Sequence, residues 1–215
     1  MRPGTRSRTI STINQSAASP DAALSTICRV VTGRAWSPAG AAMLVPVGAV
    51  IEVRRAGLHD WEAVRTVRLS ALADAPYAFA STLAREAEFD SREWRRSVAE
   101  GDWFLAWLGD EPVGIAAGLT DDDLPGERHL VAMWVAAAHR GSTAATRLVD
   151  AVCDWARAEG AGAVTLWVAD GNPRARRFYE RLGFRSTGRR QPLPSAPEVG
   201  EEQLRRELGV SVRRR

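Results

Sequence analysis

The segment from Met133 to Ala145 combines a strand end, a turn of small residues and the start of a helix. The first N–H groups of a helix have no acceptor inside it, and the helix dipole adds positive potential there. Such starts bind phosphate, and Arg140 would add a charge-assisted contact. The candidate anion-binding residues are Met133, Trp134, Val135, Arg140, Gly141, Ser142, Thr143, Ala144 and Ala145. An ordinary helix start remains the alternative for this segment alone.

A second helix carries polar groups along one side. Asn172, Ala175 and Tyr179 are spaced at i, i+3 and i+7, so they share one side of the helix. Asn172 and Pro173 favour the N-cap and first helical positions, and Gly183 ends the helix. A phenol that points into a cleft can protonate a thiolate leaving group. A core tyrosine with a hydrogen-bonded hydroxyl is the alternative for Tyr179.

Hydrophobic periodicity predicts the elements that position these groups. Strands are predicted over 51–54, 103–108, 113–119, 128–135 and 164–168, and helices over 58–73, 91–99, 142–159 and 173–182. Ser91 is the predicted N-cap of the helix over 91–99. The order combines an antiparallel meander with one βαβ crossover. The predicted fold class is therefore α/β, with a mixed, mostly antiparallel sheet flanked by helices.

The first 48 residues differ from the rest of the chain. They are rich in Ser, Thr, Ala, Arg, Pro and Gly and show no sustained period, which predicts a disordered extension. Met43 is an alternative start of translation. Residues 49–210 are predicted to form a single domain.

Composition and charge disfavour several classes of protein. All 29 basic residues are Arg, and the excess of positive charge lies at the two ends of the chain, so a nucleic-acid partner is not expected. No apolar run reaches the roughly 20 residues that span a bilayer, so no membrane partner is expected either. Cys28 and Cys153 are interpreted as reduced thiols in the cytoplasm. No Cys/His cluster has the spacing of metal ligands, so no metal is expected.

Together, Arg140-Gly141-x-x-x-Ala145 and Asn172…Tyr179…Gly183-Phe184 resemble the GNAT family of N-acetyltransferases. In order of elements the resemblance extends over roughly residues 50–190. It implies a GNAT-like acyl-CoA N-acyltransferase fold, with acetyl-CoA as the donor and direct transfer to a primary amine. It also implies a final strand near 201–208, although local propensity there favours helix.

The resemblance implies a role for each motif residue. The acetyl-pantetheine arm would pair with Met133–Val135, and the pyrophosphate would bind the N–H groups of 140–145. Asn172 would hold the CoA chain, with Arg176 near the CoA phosphates. Tyr179 would protonate the CoA thiolate, and a backbone N–H near Val135 would bind the thioester oxygen.

Thr143 departs from the family's turn, because it stands where the first glycine of the motif is usual. A β-branched side chain there could crowd the phosphate or forbid a positive φ, which would weaken CoA binding. If crowding is the cause, Thr143→Gly should tighten binding. Alternatively, the hydroxyl of Ser142 or Thr143 could cap the helix or bond a phosphate oxygen.

The sequence gives less information about the general base and the amine acceptor than about the acetyl-CoA site. Glu127 and His129 alternate onto one face of a strand and are candidate bases; Glu127 is the primary choice. The acceptor, a small-molecule or peptide amine, is expected to contact Tyr77, Phe79 and Ser81. A non-catalytic acyl-CoA-binding or regulatory protein with the same fold is the alternative function. Exposed strand edges are compatible with a homodimer.

Overall fold

The structure of the protein is a computed structural model that describes residues 50–120 and 126–209. Within these ranges seven strands form one sheet with the order β1-β2-β3-β4-β5-β7-β6. The strands are β1 (Ile51–Arg55), β2 (Asp102–Leu108), β3 (Glu111–Thr120), β4 (Glu127–Val135), β5 (Ala163–Ala169), β6 (Arg185–Leu193) and β7 (Ala196–Glu207). The predictions for residues 1–48 lie outside the described residues.

Five α-helices flank this sheet in the described part of the chain. They are α1 (Trp61–Asp74), α2 (Leu83–Ala87), α3 (Ser91–Glu100), α4 (Ala144–Ala158) and α5 (Pro173–Arg181). The short helix α2 was not predicted. The N-cap of α3 is Asp90 rather than Ser91, because the Asp90 carboxylate accepts hydrogen bonds from the N–H groups of Arg92 and Glu93.

The pairing of the strands confirms the predicted fold class. β1 to β4 form an antiparallel meander, and α4 crosses from β4 to the parallel strand β5. β7 pairs antiparallel with both β5 and β6. The sheet is therefore mixed and mostly antiparallel, with helices on its two faces.

Each face of the sheet has its own apolar core. On the face that α4 and α5 cover, here called the α4 face, Leu148 and Val152 pack against Leu166. On the opposite face, here called the α1 face, Val64 of α1 and Trp94 of α3 belong to the second core. Complete burial of each such side chain contributes about 1.5–3 kcal/mol.

The close approach of α4 to the sheet depends on Gly118 in β3. A Cβ atom at this position would overlap the ring of Trp155 on α4. Any larger residue would therefore push α4, and the turn that precedes it, away from the sheet.

The last hairpin was only partly predicted. Residues 201–208 were expected to form the final strand, and β7 confirms a strand there. No element was predicted for the residues before it, and Arg185–Leu193 form the edge strand β6. Its residues 185–192 are all exposed, so no alternating pattern indicates a strand, and Pro192 is tolerated because an edge strand has one side without hydrogen bonds.

Candidate functional site

β4 and β5 separate along their length. They pair at three positions, the last of which places His129 beside Thr165. Beyond that position Leu130–Val135 of β4 and Leu166–Ala169 of β5 do not pair with each other. The two strands therefore diverge into an opening, here called the fork. Paired strands lie about 4.8 Å apart, so the divergence leaves backbone groups of β4 without strand partners.

A bulge in β4 shapes the fork. The register between β3 and β4 shifts between Ile115 and Ala117 of β3. Ala132, in β4 opposite this shift, has a φ of 56° and is the one non-glycine residue with positive φ among those described. A left-handed residue costs roughly 1–2 kcal/mol, which the surrounding pairing must offset. The extra residue re-aims the strand end that follows it.

The N–H of Val135 points into the fork. The N–H of the next residue, Ala136, donates to the carbonyl of Val113 in β3, at 2.9 Å. Successive N–H groups of an extended chain point to opposite sides, so the N–H of Val135 faces away from β3. A backbone donor therefore faces the fork at Val135, and its contact with a thioester oxygen stays a prediction.

Backbone donors without acceptors cluster at the start of α4. The N–H groups of Gly141, Thr143, Ala145 and Thr146 have no hydrogen-bond acceptor among the described residues. Gly141 and Thr143 are exposed and Ala145 and Thr146 are half-buried, so the first two donors are the most accessible to a ligand. Four such donors at the positive end of a 15-residue helix form a site for an anion.

Thr143 fits this turn without strain. Its φ is −76°, whereas the positive φ of the turn belongs to Gly141, at 89°. The hypothesis that a threonine here would oppose a required positive φ is therefore wrong. Ser142 supplies the capping hydroxyl: its Oγ donates to the carbonyl of His139 and accepts from the N–H of Ala144. The helix accordingly begins at Ala144, two residues later than predicted.

Arg140 points away from these donors. Its Nε donates to the carbonyl of Val135 at 3.1 Å, and its Nη2 forms an ion pair with Asp74, the last residue of α1. The same Asp74 oxygen accepts a hydrogen bond from Trp134 Nε1 at 2.9 Å. Hydrogen bonds from Trp134 and Arg140 hold the pKa of Asp74 below its usual range. Arg140 thus joins the end of β4 to α1.

Asp74 did not emerge from the sequence as a site residue. A carboxylate in the last turn of a helix lies near the negative end of the dipole and is disfavoured there. The position of Asp74 in the last turn was therefore a signal that a cation or a hydrogen-bond donor from another part of the chain stabilises its carboxylate. Its partners lie 60 and 66 residues further along the chain, so no local pattern identifies them.

Tyr179 lies on α5 within the core of the α4 face. It is 8% exposed and makes edge-on contacts with Phe178 and Phe184. No described residue accepts a hydrogen bond from its hydroxyl. Burial raises the pKa of Tyr179 above its ordinary value of 10.0, so the phenol keeps its proton at neutral pH.

The other two predicted residues of α5 have partners within the protein. Asn172 is the N-cap, as predicted, and its Oδ1 accepts from the N–H of Ala175 at 3.1 Å. Arg176 forms ion pairs with Glu180 and with Glu202 of β7. Arg176 therefore ties α5 to the sheet, and its guanidinium is not free for a phosphate.

The two candidate bases occupy different places. Glu127 begins β4, roughly 20–25 Å along the strand from Val135, and forms an ion pair with Arg205. His129 lies at the closed end of the fork, where its Nδ1 is 2.8 Å from Thr165 Oγ1. The geometry therefore favours His129 over Glu127 as a group that reaches a molecule in the fork.

The predicted acceptor residues lie in the connection between α1 and α2. Tyr77 is 58% exposed, whereas Phe79 and Ser81 are buried. The Phe79 ring packs on the guanidinium of Arg68, which forms a buried bidentate ion pair with Glu86. Glu86 thereby fixes α2 to α1. The hydroxyl of Ser81 is buried and has no hydrogen-bond partner among the residues that the structure describes.

Residues 50–120 and 126–209 contain neither a candidate metal site nor a candidate membrane span. No group of three or more His, Cys, Asp or Glu side chains has an arrangement that could hold a metal ion. None of the helices in these ranges has the length and apolar character needed to cross a bilayer.

One relative of known name matches part of the chain. N-acetyltransferase 8F1 of Rattus norvegicus is 35% identical over 95 residues, which make up 43% of this chain and 43% of the rat protein. The match thus covers less than half the length of that relative.

Solved structures match almost their whole length. The structure of yncA from Salmonella typhimurium, with its cofactor acetyl-CoA, superposes with a TM-score of 0.63 at 15% identity, over 77% of this chain and 98% of that one. An N-acetyltransferase from Kribbella flavida gives a TM-score of 0.58 at 23% identity, over 73% and 97%. At these identities the structures show a shared fold.

The family model provides the assignment. The model of the acetyltransferase (GNAT) family matches residues 66–184, which include β4, the turn, α4 and α5. Because this match spans more than half of the 215 residues, the protein belongs to the acetyltransferase (GNAT) family.

Proposed function

We propose that this chain transfers an acetyl group from acetyl-CoA directly to a primary amine, without an acyl-enzyme. The observation that carries the proposal is the fork with four unpaired N–H donors beside it at the start of α4. The fork offers unpaired β4 backbone to the amide groups of a pantetheine arm. The donors offer an anion site of the kind that binds pyrophosphate.

Binding of acetyl-CoA would use backbone groups more than side chains. The N–H groups of Gly141, Thr143, Ala145 and Thr146 would hold the pyrophosphate, and the exposed, small residues of the turn allow close approach. Arg140 would act indirectly, because its guanidinium holds the Val135 carbonyl and Asp74. The Asn172 amide, at the N-cap of α5, would contact the CoA chain through its NH₂ group.

The reaction would proceed by attack of the neutral amine on the thioester carbon. The N–H of Val135 would stabilise the negative charge that develops on the carbonyl oxygen. As the C–N bond forms and the C–S bond breaks, the amine loses one proton and the CoA thiolate gains one. Tyr179 would supply the proton to the sulfur, since its raised pKa keeps it protonated.

His129 would accept the proton from the amine through a chain of water molecules, because six residues of β4 separate it from Val135, a distance of roughly 15–20 Å. Thr165 Oγ1 donates to the carbonyl of Arg128 at 3.4 Å, so it is the acceptor of the hydrogen bond from His129 Nδ1. In a neutral imidazole with its proton on Nδ1, Nε2 carries the lone pair and can act as the base. Thr165 is 2% exposed and would keep the ring in this orientation.

A thiol-release assay with acetyl-CoA and a panel of primary amines tests the proposal, with mass spectrometry of the product. We expect one acetamide for each CoA released, and a much lower rate for Tyr179→Phe at unchanged acetyl-CoA affinity. If the protein binds acetyl-CoA but no amine accelerates thiol release above the solvent rate, the chain is an acyl-CoA-binding protein without this activity.

A further inference from the structure

Glu201 differs from the other buried charged residues that the structure describes. Asp60 forms an ion pair with Arg54, and Arg68 forms one with Glu86. Glu201 is 6% exposed and has no cationic partner among the described residues. A buried carboxylate without a countercharge is unfavourable, so a bound cation would offset that cost.

The hydrogen bonding of Glu201 is also incomplete. Its Oε1 accepts from the Gln191 side chain at 2.6 Å, and its Oε2 accepts from no described residue. Burial raises the pKa of Glu201, and the hydrogen bond from Gln191 opposes this shift. A carboxylate can accept several hydrogen bonds, so Glu201 retains capacity for a cationic donor.

Glu201 lies next to the open end of the fork. In β7 it is the register partner of Ala169, the last residue of β5. Neighbouring strands are about 4.8 Å apart, so the backbone of Glu201 is on the order of 10 Å from the middle of the fork. One short substrate could therefore have one end in the fork and its other end at Glu201.

Glu201 faces the side of the sheet from which an acceptor would approach. Leu204 packs in the core of the α4 face, and side chains alternate along a strand, so Glu201 and Gln203 lie on the α1 face. Both are buried. The hydroxyl of Ser195, in the turn between β6 and β7, donates to the carbonyl of Phe79, which brings the predicted acceptor segment over this part of the sheet.

We infer that Glu201 binds a second, cationic nitrogen of the acceptor, which makes the substrate a diamine or another amine with a distal positive charge. This inference rests on the proposed acetyl transfer. The attacking nitrogen must be neutral, and a carboxylate stabilises an ammonium, so Glu201 holds a nitrogen other than the one that reacts. Gln191 keeps the carboxylate in place.

Three acceptors of equal chain length test the inference: hexamethylenediamine, n-hexylamine and ε-aminocaproate. Their distal ends are positive, neutral and negative. For the wild-type protein we expect kcat/KM for the diamine to exceed that for hexylamine about tenfold or more, as a charge-assisted contact implies, and ε-aminocaproate to be the poorest. Glu201→Gln should bring the diamine to within about threefold of hexylamine and leave hexylamine unchanged.

Glu198→Gln is the matched control, since Glu198 is an exposed residue of the same strand. It should keep the full preference for the diamine. Equal rates for the diamine and hexylamine in the wild-type protein would overturn the inference while leaving acetyl transfer intact, and this comparison does not depend on how the variant folds. If acetyl-CoA binds and none of the three amines releases thiol, the proposed function fails and the inference fails with it.

Discussion

Asp74, the last residue of α1, forms an ion pair with Arg140 in the turn before α4. The same carboxylate holds the Trp134 indole, and Arg140 in turn holds the Val135 carbonyl. One carboxylate therefore connects the acceptor side of the sheet to the strand end and turn that would bind acetyl-CoA. We regard Asp74 as a positioning residue, because it acts through Trp134 and Arg140.

Replacement of Asp74 by Asn should weaken the binding of acetyl-CoA more than it slows the transfer of the acetyl group. The amide keeps the size of the side chain but removes the charge that holds Arg140. We expect KM for acetyl-CoA to rise about three- to tenfold with a smaller change in kcat, from steady-state kinetics. Asp110→Asn, in the exposed turn between β2 and β3, is the control. An unchanged KM would show that the Asp74 network does not position the site.

Tyr179→Phe should lower kcat by about a hundredfold or more, because the phenol is the proposed proton donor. The dissociation constant for acetyl-CoA should stay the same. An equal rate in the two proteins would remove Tyr179 from the mechanism.

The raised pKa of Tyr179 predicts its pH dependence. The protonated phenol is the active form, so loss of activity through this group should begin only above its ordinary value of 10.0. The stability that follows from the raised pKa is fully present below that value and is lost as pH rises through the higher folded pKa. The free energy of unfolding of the wild type relative to Tyr179→Phe should therefore fall as pH rises above 10.0, as measured by urea denaturation of both proteins across this range. A difference that does not change with pH would contradict the raised pKa of Tyr179.

His129→Ala and Glu127→Gln separate the two candidate bases. His129 lies at the closed end of the fork, whereas Glu127 is paired with Arg205. We expect His129→Ala to reduce kcat about a hundredfold, and Glu127→Gln to reduce it less than about threefold. A larger loss in Glu127→Gln would reverse the assignment.

The positive φ of Ala132 predicts how substitutions at this position change the free energy of unfolding. Glycine adopts the left-handed region freely, whereas a β-branched residue there is an outlier. Ala132→Gly should change the free energy of unfolding by less than about 1 kcal/mol, while Ala132→Val should lower it by about 1–3 kcal/mol. Chemical denaturation of the two variants measures the difference. If valine were tolerated as well as glycine, the bulge would not have this backbone.

Much of the fold followed from local patterns. The mixed sheet, the single crossover through α4 and the capped start of α5 at Asn172 are each set by periodicity or by neighbouring residues. β6 was missed because an exposed edge strand lacks alternation and tolerates Pro192. The start of α4 was misplaced by two residues because Ser142 caps from outside the helix.

The site was less accessible to sequence reasoning. Backbone donors such as the N–H of Thr143 could be anticipated, since every helix start has them. Side-chain roles could not, because they depend on partners far along the chain. Arg140 contacts Asp74 and Arg176 contacts Glu202, and the motif indicates neither of these carboxylates. Likewise, only the pairing of β4 with β5 distinguishes His129 from Glu127.

The most direct test of the account is calorimetric titration of acetyl-CoA into the wild type, Thr143→Gly and Thr143→Pro. Proline fits the φ of −76° but removes one of the four N–H donors, whereas glycine keeps it. Circular dichroism checks that both variants fold. We predict binding by the wild type, binding within about threefold of it for Thr143→Gly, and about tenfold weaker binding for Thr143→Pro. No heat from the wild type at millimolar acetyl-CoA, or equal affinity of the proline variant, would contradict the proposed site.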